Sequence, residues 1–155
     1  MAVEKIISGG QTGADQGGLG AGVTLGLKTG GWAPKGWRTE DGPAPWLAEL
    51  GLRAHASRSY PPRTKLNVVH SDGTLIIGNP SSPGSRLTAR LCKEEHRPVY
   101  TLVATGRSDV SRHVRAFRKW ILSHDLQVLN VAGNRESSNP GITQATHDFL
   151  VEALM

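Results

Sequence analysis

The segment Lys5 to Asp15 reads KIISGGQTGAD, and it leaves the chain few ways to fold. A short apolar, β-branched run passes directly into glycine, hydroxyl and amide residues and then into a helical pattern. That is the junction of a parallel strand with its following helix, where the first helical N–H groups lack partners and the dipole is positive, so anions collect there. Gly9, Gly10 and Gly13 allow positive φ and close approach of the backbone to a ligand, while Gln11 and Thr12 supply side-chain donors. Asp15 is either a helix N-cap or a group aimed at a sugar hydroxyl. Taken alone, the motif is equally well read as a tight strand-to-helix turn with a cap. The spacing is not GxGxxG, and no Lys-Ser/Thr pair follows the last glycine, which disfavours a nicotinamide dehydrogenase or a P-loop NTPase.

Strand and helix signals alternate after this opening, the pattern of an α/β protein with a mostly parallel central sheet. A first helix is expected over Ala14 to Gly26. Its four glycines, Gly17, Gly18, Gly20 and Gly22, each cost about 1 kcal/mol against alanine, so close packing of helix on sheet must hold it. A strand over Lys28 to Trp32 leads into a long loop, Ala33 to Pro45, where Trp32 and Trp37 flank Lys35. This loop is read as an aromatic and cationic lid over a ring-bearing ligand; the alternative makes Trp32 core and Trp37 a subunit contact. Pro61 and Pro62 suit the first turn of a helix running into Thr64 to His70. Further on come a strand from Thr74 to Gly78, a loop-to-helix junction with Leu87 and Leu91 at helical spacing, and a strand from Val99 to Ala104. A helix from Ser108 to Ser123, a strand from Leu126 to Ala132 and a helix from Gly141 to Leu154 complete the pattern.

With 155 residues and 37% apolar content, one core and one domain over residues 1–155 are expected. The sole cysteine, Cys92, forms no intramolecular disulfide and reads as a small core residue, and a cytoplasmic setting is the default. No run approaches the roughly 20 apolar residues of a membrane span. The net charge of +5 fits either nucleic acid or a small anionic ligand. Arg112, Arg115, Arg118 and Lys119 share one helical face opposite Val110, Val114, Phe117 and Ile121, which is ordinarily a solvated face; without a recognition motif, nucleic acid is disfavoured. The histidines are scattered, with no metal-ligand spacing and no cysteine partner, so no metal site is expected. A nucleophilic serine has no G-x-S-x-G setting.

Three apolar strands end in ligand-type loops: SGGQTGAD, GNPSSPGSRLT and NVAGNRESSNPG. In an open α/β sheet these ends share one edge. Ser82, Gly84, Ser85 and Thr88 give small donors at a helix start, with Arg86 a further charge. Gly133, Asn134, Arg135, Glu136 and Ser137 add a guanidinium fork and a carboxylate, whose alternative is a surface salt bridge.

ISGGQTGAD, TGGWAPKGWRTEDGP, RTKLNVVHSDGTLI, SPGSRLT and NVAGNRES-SNPGI occur in this order over nearly the whole chain. In these motifs the chain resembles the circularly permuted YpsA-like branch of the SLOG superfamily, whose members are often labelled putative molybdenum carrier proteins. The resemblance implies a Rossmann-like three-layer sandwich, usually a homo-oligomer such as a dimer or tetramer, with a pocket for a nucleotide-derived or pterin-phosphate ligand, molybdenum cofactor among them. Relatives commonly carry Arg after the motif Asp and a second Asp further along the helix; here Gln16 and Gly20 stand there. The second loop also resembles the PGGxGTxxE signature of related phosphoribohydrolases, but Ser85 and Leu87 replace glycines and Leu91 occupies the position of the catalytic Glu.

The expected function is therefore a binding protein for a phosphorylated small molecule, acting as carrier or sequestering sponge. Gly9 to Gly13 and Ser82 to Ser85 would cradle phosphate, Arg135 would pair with it, Lys35 and Trp37 would close over the ligand's ring, and Asp15 or Glu136 would hydrogen-bond a hydroxyl. The alternative is a nucleotide hydrolase acting on an N-glycosidic or phosphate bond, with Asp15 or Glu136 as its only candidate carboxylates.

Overall fold

A computed structural model describes residues 3–155. Among them the elements run β1 (Lys5–Ile7), α1 (Ala14–Leu25), β2 (Lys28–Ala33), β3 (Arg38–Thr39), β4 (Gly42–Pro43), β5 (Leu52–Ala54), α2 (Tyr60–Val69), β6 (Gly73–Gly78), α3 (Pro83–Glu94), β7 (Val99–Val103), α4 (Val114–Ser123), β8 (Val128–Gly133) and α5 (Ile142–Leu154). Six strands form one parallel sheet in the order β5-β2-β1-β8-β6-β7, and β3 with β4 makes a small antiparallel hairpin. Helices on both faces complete a Rossmann-like α/β sandwich.

The interior strand β6 is buried along its whole length, as the unbroken apolar run around Leu75, Ile76 and Ile77 requires of a strand covered on both faces. One face packs on α1, α4 and α5, with Ile6, Leu75, Ile77, Leu129 and Val131 meeting Val114, Phe117, Ile121, Phe149 and Leu150. The other face is covered by α2 and α3, whose Val68, Leu87, Leu91 and Cys92 form a smaller cluster. The connection from β1 to β2 runs one way along the sheet through α1, and that from β6 to β7 runs the other way through α3. Right-handed crossovers in opposite directions demand helices on opposite faces. Between them, above the carboxyl ends of β1, β8 and β6, a crevice opens.

The glycines of α1 have a packing reason. A Cβ on Gly18 would lie 2.7 Å from Val131 of β8, one on Gly22 2.7 Å from Thr29 of β2, and one on Gly17 2.4 Å from the Thr143 carbonyl of α5. These approaches let α1 lie directly on the sheet and on α5. Gly20 is different, since a Cβ there would meet only His147 at 3.5 Å, an ordinary contact.

Three elements depart from the sequence reading, the first being the β3–β4 hairpin inside the stretch Ala33 to Pro45, which the sequence reads as a loop. β5 is a three-residue edge strand paired with β2 through Gly31 and Leu52, too short to carry a periodic signal. The helix expected from Ser108 begins at Val114. Ahead of it, Asp109 accepts hydrogen bonds from the Ser111 amide and hydroxyl, and Ser108 from the Thr105 amide, so short polar side chains hold this stretch in turns. The apolar face of α4 is buried as its spacing requires, with Arg112, Arg115 and Lys119 exposed. Arg118, exposed like them, also donates to the carbonyls of Glu152 and Ala153, closing the negative end of α5. Among the described residues, no helix is long and apolar enough to cross a membrane.

Candidate functional site

The loops leaving β1, β6 and β8 meet around a cleft of about 450 Å³. Gln11 and Asp15 line it from the first loop, Ser82, Gly84 and Thr88 from the second, and Gly133, Asn134, Arg135 and Ser137 from the third. Helix α2 adds Tyr60, Arg63 and Thr64. No local pattern marks these three residues; only the clamp of Asn67 on β2, whose amide accepts from the Trp32 N–H at 2.9 Å and donates to its carbonyl at 3.1 Å, brings α2 over the β1 loop.

The first loop holds an anion of its own. The Asp15 carboxylate accepts from the Gln11 amide at 3.1 Å and faces the Gly9 amide. Thr12 N–H donates to Gln11 Oε1, Gly10 N–H to Ser8 Oγ, and Ala14 N–H to the Asn134 carbonyl. Of the amides expected to cradle phosphate, those of Gly9, Gly10, Gln11 and Thr12 thus face partners inside the protein. The glycines serve the same closure: a Cβ on Gly9 would fall 1.5 Å from the Arg63 guanidinium, and Gly13, at φ +83°, brings the turn within 2.2 Å of the Asn134 carbonyl by the same measure. Neither these glycines nor Thr12 lines the cleft.

Arg63 approaches Asp15 at 3.5 Å, with both side chains almost wholly buried, and lies over the Tyr60 ring at 5.1 Å. Arg38 from the hairpin also lies over that ring, and Gln11 donates to the Tyr60 hydroxyl. Burial pushes the Asp15 carboxyl up to about 6, outweighing the attraction of Arg63 and the Gln11 amide. The Arg63 Nε–H is buried without a protein partner.

In the third loop the Asn134 side chain behaves like a piece of backbone. Its oxygen accepts from Asn79 N–H and Asn139 Nδ2, and its nitrogen donates to the Asn79 carbonyl and Ser82 Oγ, locking the second and third loops together. Glu136 points away from the cleft. Its carboxylate accepts from Gly141 N–H, Thr143 N–H and Thr143 Oγ, satisfying the start of α5, and these bonds hold its carboxyl below the usual range. It is committed as a cap and forms no pair with Arg135 among the ion pairs of the described residues.

The acid that does reach this region is Glu40, from the β3–β4 turn. Its carboxylate accepts from the hydroxyls of Thr12 and Ser137 and from the Ser137 amide, and its own N–H donates to Gln11 Oε1 at 2.9 Å. Desolvation acts to raise the Glu40 carboxyl, but these donors and the Arg135 charge together bring it below the usual range.

In the second loop Ser82 caps α3, and Ser82, Pro83 and Gly84 face the cleft. Ser85 is buried beneath, its hydroxyl without a partner, and Thr88 Oγ donates to the Gly84 carbonyl. Leu91 packs with Val68 and Cys92, so its helical turn offers hydrocarbon and no carboxylate. The expected lid residues lie elsewhere: Lys35 is exposed with its amide on the Ser57 carbonyl, and Trp37 packs against the Ala33, Ala44, Leu47 and Leu52 cluster. Neither lines the cleft.

Chemically, the cleft presents two guanidiniums, Arg63 and Arg135, against one carboxylate of weakened acidity, with small hydroxyls and a helix start around them. A search of the curated proteins finds no match. Among solved structures the chain is similar to the crystal structure of "Putative molybdenum carrier protein" from Syntrophus aciditrophicus SB, at 37% identity and a TM-score of 0.89 over 99% of this chain and 96% of that one. The profile of the circularly permutated YpsA SLOG family matches residues 6–154, nearly all of the sequence, and the chain belongs to that family.

Proposed function

We propose that this chain is a binding protein that holds a phosphorylated small molecule in the three-loop cleft and acts as a carrier or sequestering sponge. The observation that carries the reading is the convergence of Arg63, Arg135 and the Ser82-capped start of α3 on one cleft at the topological switch of the sheet. The name of the Syntrophus protein fits a carrier. A pterin phosphate such as molybdenum cofactor, carried as cargo, fits through its phosphate: the cleft offers guanidiniums and hydroxyls to that group, and none of its lining residues is a cysteine or histidine. Nucleotide-derived signals present the same phosphate. A single domain working as a cytoplasmic homo-oligomer belongs to the same proposal.

Calorimetric titration with nucleoside mono- and diphosphates, ADP-ribose and pterin phosphates tests it. A ligand that binds wild type and loses at least tenfold in affinity in Arg135→Ala supports the cleft; a ligand that binds both proteins equally places recognition elsewhere. One feature favours a second reading, a nucleotide hydrolase: Asp15 lines the cleft, and burial raises its carboxyl to about 6. That reading predicts product from nucleoside monophosphates and its loss in Asp15→Asn. Unchanged nucleotide after prolonged incubation with wild type removes it.

A further inference from the structure

The Glu40 carboxylate rests in a donor set that is more elaborate than a surface loop needs. The Thr12 hydroxyl accepts from the Glu136 amide at 3.2 Å, which leaves its own proton to point at Glu40. The Ser137 hydroxyl and amide point at the same carboxylate, and the charge of Arg135 acts on it. Three donors and a guanidinium from two different loops therefore converge on one oxyanion, and Ser137 and Arg135 at the same time line the cleft. The anion they hold belongs to the β3–β4 hairpin, two two-residue strands joined through Thr39 and Gly42. Among the described residues Glu40 forms no ion pair within 4.0 Å, so it is held by hydrogen bonds and longer-range charge alone.

We propose that Glu40 is an internal stand-in for the ligand's terminal phosphate, and that a dianionic phosphate group displaces it from Thr12, Ser137 and Arg135 when the ligand binds. This inference rests on the cleft being the ligand site and adds where the terminal phosphate goes and what selects it. A competitor that must expel a carboxylate of charge −1 succeeds best with a larger charge on as many acceptor oxygens. Phosphomonoesters and diphosphates carry about −1.5 to −2 and three acceptors near neutral pH, whereas phosphodiesters and carboxylates do not. Glu40 thus sets a threshold that every ligand must clear, and the Thr12 and Ser137 donors with Arg135 let a dianion clear it more readily than a monoanion. The hairpin that carries it pairs only with itself and not with the six-stranded sheet, and is tied to its surroundings by the Glu40 N–H on Gln11 and by Arg38 on the Tyr60 ring and the Arg58 carbonyl.

The test uses inorganic pyrophosphate, AMP and cyclic AMP with wild type, Glu40→Gln and Ser137→Ala. Removing a like charge from beside the phosphate should tighten pyrophosphate and AMP about tenfold in Glu40→Gln. Ser137→Ala, which strips the subsite of a donor, should weaken both. Cyclic AMP, a monoanion with fewer free acceptor oxygens, should bind wild type more weakly than AMP and gain less than AMP in Glu40→Gln, because the charge removed repels it less; cyclic AMP that matches AMP in wild type counts against a subsite for a dianion. Pyrophosphate that binds wild type at an Arg135-dependent site, yet binds Glu40→Gln no better, overturns the stand-in role while leaving the cleft in place. Absence of binding to every one of these proteins removes the cleft reading itself and this inference with it. Hydrogen exchange on wild type gives a readout that needs no variant: pyrophosphate should speed exchange across residues 38–43, and protection there overturns displacement.

Discussion

Asp15→Asn separates two forces that act on one carboxyl. In an unfolded chain Asp15 titrates near 3.9, and burial in the fold moves it up to about 6. That difference of about two units corresponds to about 3 kcal/mol. Because the folded value is the higher one, the folded state holds the proton more tightly. The associated stability is present in full below the unfolded value and is lost as pH rises through about 6. Asparagine keeps an oxygen for the Gln11 amide and carries no titrating proton. The unfolding free energy of wild type relative to Asp15→Asn should therefore fall by about 2.5 kcal/mol between pH 4 and pH 7.5, measured by urea titration at four or five pH values. Glu40, Glu136 and Asp148, whose carboxyls the fold holds low, lose stability in the opposite direction as pH falls, but they are present in both proteins and cancel. A difference that stays flat would refute the shift. A difference that grows with pH would show that Arg63, 3.5 Å away, dominates over burial.

Three further outcomes follow from packing and hydrogen bonding. Gly20→Ala should stabilise the protein by about 0.5–1 kcal/mol, because alanine favours the helix and meets only an ordinary contact, whereas Gly18→Ala should destabilise by about 1–3 kcal/mol by driving into Val131; thermal denaturation of the pair tests the sign reversal. Glu136→Ala should cost about 1–2 kcal/mol by uncapping α5 while leaving ligand affinity within about twofold, and a large affinity loss with unchanged stability would contradict its role as a cap. Asn134→Ala should cost at least about 2 kcal/mol and loosen both loops, seen as faster amide exchange at Asn79 and at residues 104–106 and 139; unchanged exchange would mean that the loops do not depend on the amide.

The three-loop edge was legible because each loop announces itself: an apolar run, then small polar residues and glycine, then helical spacing. Unbroken apolar runs likewise sufficed for the interior strands, and helical spacing for the buried face of α4. What stayed hidden depends on distant partners. Arg63 and Tyr60 reach the cleft only because Asn67 registers α2 on β2, and Glu40 only because its hairpin folds back onto Thr12 and Ser137. Glu136 was visible as a charge beside Arg135, but one step along the chain turns its side chain to the start of α5. The first loop looked like an open phosphate cradle because the sequence shows its amides and glycines but not that Asp15 and Gln11 turn back to fill them.

The strand order has a consequence for how the protein must be made. β8 hydrogen-bonds to β1 on one side and to β6 on the other, joining Ile6 to Leu129 across most of the chain. Before residues 128–133 leave the ribosome, β1, β2 and β5 form one fragment of sheet and β6 with β7 another, with no strand in common. Each fragment meanwhile exposes a raw edge of unpaired backbone, and the apolar face that α5 covers is open. Pairing over so long a separation is slow. A nascent chain that stalls or terminates just short of Val128 is thus left as two sticky half-sheets, and the vulnerability of this fold to truncation is concentrated at β8.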